Sequence, residues 1–156
     1  IYLLMFVGSL LGEEDIMNPV VKSAVSIGAK TIIDGKHDID PDVTLTEAMK
    51  VYILGISWPD KIRYRWKEKD SDLGNSLYYL DFTTPIEVIS ESHYDNKALE
   101  GCIVIADTDH GRLVVPPSEI NSVNPIVWFI DNDDPKDGYK IWEKRKLSII
   151  LKIFKN

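Results

Sequence analysis

The chain has a single cysteine, Cys102, in 156 residues, so it forms no internal disulfide. It therefore carries no secreted disulfide scaffold, and a reducing setting, the cytoplasm, is expected. Histidine is also sparse. His37, His93 and His110 lie far apart and lack zinc-ligand spacing, and with one cysteine a tetrahedral zinc site would need carboxylates recruited from distant segments. There is no Walker A motif and no G-x-G-x-x-G. Gly55-Ile56-Ser57 lacks the second glycine of a nucleophile elbow. No cofactor is expected. No N-x-[ST] acceptor, internal repeat, low-complexity tract or linker occurs.

Long apolar runs are missing too. Residues 1–7 are wholly apolar, and Leu10 and Leu11 extend them, but this is too short for a membrane span. A core strand or helix is expected there rather than the remnant of a targeting segment, and the opening Ile1 is expected to mark a truncated or processed chain. Positive charge is in deficit: 18 Lys and Arg stand against 25 Asp and Glu, for a net charge of -7. That disfavours general binding to nucleic acid or anionic membrane and suits an encounter with a basic protein.

What is present is enough for a core. Apolar residues make up 44% of the chain, and the length fits one domain spanning 1–156. Residues 19–27 are expected to be helical, with Asn18 as cap, Pro19 at the first position, Gly28 past the end, and Val20, Val21, Ala24 and Val25 on the buried face. Residues 31–33 read as a short strand closed by Asp34-Gly35. A second helix is marked by a capping box of Thr44 and Glu47, by Leu45, Ala48, Met49 and Tyr52 at helical spacing, and by Gly55 as a stop.

Ile62, Tyr64 and Trp66 alternate with Arg63, Arg65 and Lys67, which favours a strand, although Pro59 also permits a helix. Residues 77–82 read as a strand, and 84–90 as a capped short helix. Three apolar runs follow between residues 101 and 135, and they are β-branched and bounded by Asp-rich turns. Residues 139–154 read as a closing helix, with Ile141, Trp142, Leu147, Ile150, Leu151 and Phe154 as its buried stripe. Together these elements give an α+β fold, a largely antiparallel sheet with several packed helices.

The acidic boundaries invite chemistry. Asp107-Thr-Asp109-His110-Gly111 has the look of a phosphatase-type D-x-D loop, which needs a nucleophilic and an acid/base carboxylate. Such chemistry also needs a large fold downstream, and only 45 residues follow Gly111 (156 minus 111). A β-turn between Ile105 and Leu113 is the stronger reading. Residues 131–138 hint at a calcium loop, but an EF-hand register starting at Asp133 puts Pro135 third and Lys144 twelfth, so the bidentate Glu is missing. Cys102 sits in an apolar run, as an inert buried thiol does. Tyr64 and Trp66 beside Arg63 and Arg65 could stack on single-stranded nucleic acid. On a strand, however, aromatics and bases point to opposite faces.

The order of these motifs resembles the SMI1/KNR4-like (SUKH) superfamily over residues 44–154. A helix ends in Gly55-Ile-Ser-Trp58-Pro59-Asp60, where Trp58 stands in place of the family's Leu. Then come residues 101–107 with a Gly turn, Leu113-Val-Val115, Val127-Trp128-Phe129-Ile130-Asp131, and a final helix. Residues 1–43 fall outside the resemblance. It implies a helix after Pro59 and a binding protein rather than an enzyme. Many bacterial members resemble immunity proteins that neutralise a toxin. The candidate contacts are Asp107, Asp109, His110, Asp131, Asp133 and Asp134, with Trp58 or Trp128 as aromatic anchor; for Trp128 a place in the core is the stronger reading. Two alternatives stand beside this: a component of a larger viral or phage assembly, and a small metal-dependent enzyme using the Asp107 and Asp131 loops.

Overall fold

A computed structural model describes residues 18–33, 35–59, 62–63, 79–90, 96–109, 111–131 and 138–153. The expectations for residues 1–11, for 64–76 and for the 132–137 loop lie outside them. Three α-helices are described: α1 (Pro19–Ser26), α2 (Glu47–Ile53) and α3 (Leu147–Ile153). The strands are β1 (Lys30–Thr31), β2 (Ile56–Ser57), β3 (Ile62–Arg63), β4 (Tyr79–Asp81), β5 (Glu87–Val88), β6 (Ile103–Thr108), β7 (Gly111–Val115), β8 (Ile126–Asp131) and β9 (Lys140–Lys146). β1 and β2 form a two-stranded ribbon. The others form one sheet in the order β3-β4-β6-β7-β8-β9, with β5 also paired to β6. Every named pairing is antiparallel; the single parallel contact is an isolated bridge between Ile39 and Ile86. The fold is α+β, as the sequence implied. No described helix is long and apolar enough to cross a membrane.

The sheet buries both faces, which explains why its central strands are apolar runs rather than strict alternations. On one face, Leu113, Val115, Val127 and Phe129 pack under the helices with Val20, Met49, Tyr52 and Leu147. On the other, Val104, Val114 and Ile130 form a smaller cluster with Ile89, Leu99 and Cys102, and Trp128, Tyr139 and Ile141 are half-buried against it. Neighbours along one strand thus serve different cores: Phe129 the first and Trp128 the second.

Local chemistry sets the helix ends. Asn18 caps α1 by accepting from the Val20 and Val21 amides at 2.8 and 3.3 Å, and its Nδ2 donates to the Val123 carbonyl at 3.0 Å. Gly28 follows at φ 100°, a conformation that costs a glycine little. The buried face is Val20, Val21, Ser23 and Ala24; Val25 is 49% exposed, a correction to the expected stripe. The cap of α2 is Thr46 rather than Thr44. Its hydroxyl accepts from the Met49 amide at 3.2 Å and donates to the Ile120 carbonyl, so the cap that wins also ties the helix to a distant loop.

Three further expectations are corrected. Residues 84–90 are not a helix: Ile86 bridges Ile39, and Glu87 and Val88 pair with Val104 and Ile103. Sheet partners remote in sequence outweigh the local cap signal. The first short strand is Lys30–Thr31, while Ile32 and Ile33 lie beyond it and are 39% and 71% exposed. The closing helix is only its second half. Residues 140–146 form β9, which pairs with β8 from Ile126↔Lys146 to Asp131↔Lys140. A bulge at Phe129/Ile130 lets Ile141 reach the second cluster and Trp142 the first. The chain turns helical only at Leu147, where the Leu147 amide donates to the Pro125 carbonyl at 2.9 Å and the Ser148 amide to Asn124 Oδ1 at 3.2 Å. At Ile62 and Arg63, the two residues described in that stretch, the alternation reading holds: they form a strand, not a helix.

Candidate functional site

The antiparallel order places several of the expected contact residues together. β6 runs out through Thr108 to Asp109, β7 starts at Gly111, and Gly111 lies opposite Asp131 at the end of β8. Asp107, Asp109 and Asp131 therefore share one end of the sheet. Gly111 is needed there, because a Cβ at that position would collide with the Ile130 carbonyl of β8. His110, Asp133 and Asp134 lie outside the described residues. Trp58 and Trp128 are elsewhere, one between α2 and β4, the other on the second face of β8.

The acids at this end are held in place. Asp109 Oδ1 accepts from the Tyr79 amide at 2.9 Å, which fixes the start of β4. Asp107 lies opposite Arg112 across the hairpin, and Arg112 Nε is 3.1 Å from its Oδ1. Arg112 Nη1 also pairs with Glu87 on β5. The Thr84 hydroxyl donates to Asp107 Oδ2 at 2.7 Å. The Thr84 carbonyl, which can only accept, lies 2.7 Å from His37 Nε2, so that nitrogen carries the proton. A continuous chain thus runs from Glu87 through Arg112, Asp107 and Thr84 to His37. It clamps the 81–88 segment onto the sheet, and Asp107 and Arg112 are its centre.

Burial sets the electrostatics of that centre. Burial, and then the Asp81 carboxylate, push the Asp107 carboxyl above its ordinary value, against the Thr84 hydrogen bond, which pulls it down. Burial lowers the Arg112 guanidinium. Because the folded chain holds the Asp107 proton more tightly than the unfolded chain, Asp107 favours folding below its unfolded pKa. That contribution is lost as pH rises through the raised folded value. Asp107→Asn removes this titration. In urea melts, the stability of the variant minus that of the parent is expected to increase as pH goes from about 4 toward neutral. A difference that stays flat would show that the carboxyl is unshifted.

Beside the clamp lies a cleft of about 250 Å³ lined by Ile32, Lys36, His37, Asp38, Trp58 and Phe82, among others. Trp58 stacks on Phe82 with centroids 4.1 Å apart and planes at 15°. Its indole N–H donates to the Tyr52 carbonyl at 2.9 Å. The ring is thus a fixed wall rather than a free probe, apolar in the body and satisfied at its polar tip. His37 and Thr83, on the rim, tie the cleft to the clamp.

Chemically the described residues offer little to a reaction. No group of three His, Cys, Asp or Glu among them is arranged to hold a metal ion. Cys102 is buried, and burial raises its thiol to about 11, so it stays protonated. The clamp partners Arg112, Thr84, Glu87 and His37 were not singled out from the sequence. Arg112 had a signal: a two-residue turn at Asp109 and His110 puts Asp107 opposite Arg112 by register. Thr84, Glu87 and His37 had none, since they meet the clamp only through β5 and the 35–38 loop. No family model, no curated protein and no solved structure matches the chain.

Proposed function

We propose that this chain is a non-catalytic protein-binding domain with a basic partner, and that its role is to neutralise a cognate toxin as an immunity protein. The observation that carries the reading is the gathering of Asp107, Asp109 and Asp131 at one end of the sheet in a chain of net charge -7. Carboxylates already oriented by Arg112, Thr84 and Tyr79 present fixed negative charge at little ordering cost to a partner. The SUKH resemblance adds to the reading through the order of α2, the Gly55–Pro59 step, the acidic hairpin of β6 and β7, and the Val127-Trp128 strand closing on Asp131. A cytoplasmic setting is part of the same proposal and rests on the lone buried thiol.

The test is affinity capture from the native host, followed by charge reversal. Asp109→Lys with Asp131→Lys is expected to slow association with the captured partner about tenfold at low ionic strength, with the difference shrinking as salt is added. Association unchanged in rate and affinity sinks the reading.

A further inference from the structure

The sheet ends in β9, its longest strand, which among the described residues pairs with β8 alone. Residues 140–146 carry four cations and one acid, a local excess of positive charge in an acidic chain. Lys144 and Lys146 are exposed. They lie opposite Trp128 and Ile126, so both stand on the second face of the sheet, two residues apart. The Lys144 ammonium rests 4.5 Å from the Trp128 ring centroid, and Ile126 is 39% exposed. An edge strand of this kind offers a main-chain ladder on one side.

We propose that β9 is a docking edge for an extended acidic segment of a partner protein, added to the sheet as a further strand with carboxylates at alternate positions. Side chains of an added strand on the second face would fall beside Lys144 and Lys146, which sets the Asp/Glu-x-Asp/Glu spacing. A second copy of this chain is disfavoured by the same charges: pairing β9 with its own copy brings lysine rows together, and like charges across a ladder destabilise it. Engagement of Lys144 by a carboxylate would release the Trp128 ring, a half-buried aromatic, to cover the apolar side chain between the acids. This edge is opposite in sign to the acidic end of the sheet and is independent of it.

The experiment uses the whole chain and a synthetic peptide alternating Glu and Val. Hydrogen exchange is followed at residues 141–146 with and without peptide. Protection of these amides is expected with the acidic peptide, and none with a Lys-Val peptide or with an acidic peptide whose central residue is Pro, which cannot donate to a ladder. Lys144→Glu with Lys146→Glu is expected to weaken the acidic peptide about tenfold or more and to gain binding of the Lys-Val peptide, a rescue that a misfolded variant cannot give. The proposal is overturned if millimolar acidic peptide leaves the β9 amides unprotected, if both peptide charges protect equally, or if protection grows with protein concentration alone. The last result would mean that a second copy takes the edge.

Discussion

Phe129→Ala is expected to cost about 3–5 kcal/mol of unfolding free energy, the largest effect of any single side chain considered. Phe129 is 2% exposed on β8, opposite Leu113 of β7 and Glu143 of β9, and packs into the cluster beneath the three helices. Its removal leaves a void that neighbours on both sides hold open, because the sheet cannot close across it. The adjacent Trp128→Ala is expected to cost only about 1–2 kcal/mol, since its ring is half-buried over the smaller cluster and shares its face with the exposed Lys144. Urea unfolding of the two variants measures the difference between the faces. Equal costs would mean that the second face is as much core as the first, and Trp128 would lose its standing as a contact residue.

Arg112→Met comes next, at about 2–3 kcal/mol. The Arg112 side chain is 23% exposed and faces Asp107 and Glu87. Removing it strands two carboxylates on a partly buried face, with Asp81 opposite Asp107 across β4. Breaking a fully buried pair costs about 3–5 kcal/mol, and the partial exposure here trims that figure. Adding Asp107→Asn to Arg112→Met is expected to recover about 1 kcal/mol, because one orphaned charge is gone. If the double variant is no more stable than Arg112→Met alone, the clamp is not electrostatic. A second readout follows from its geometry: loosening Thr84 and Glu87 should raise hydrogen exchange across residues 81–88 before the rest of the sheet.

Much of the fold was legible in local chemistry. Asn18-Pro19 and Gly28 bracket α1 because a capping amide, a preset φ and a left-handed glycine act within a few residues of each other. The three apolar runs became β6, β7 and β8 because both faces of the central sheet are buried. The failures share one cause. β5 was read as a helix and β9 as the start of α3, and in both cases the deciding partner is a strand supplied by the fold. Ile141 and Trp142 satisfy a helical stripe with Leu147 as well as they satisfy two faces of a bulged strand, and periodicity alone does not separate these.

The candidate site divides in the same way. Charge sign, the Asp residues at hairpin ends and the absence of catalytic motifs were set by the amino-acid sequence itself, because they depend on composition and on turn chemistry. The clamp was not. Asp107 first read as a reactive or contacting acid, and tertiary pairing gives it to Arg112 and Thr84. Trp58 first read as an anchor, and it is a stacked wall of a cleft. Ion pairs and ring stacks join residues tens of positions apart, such as Glu87 with Arg112 or Thr84 with His37. Only strand order and register bring such residues within a few ångströms, and that order is decided by which apolar faces bury best together rather than by any local signal.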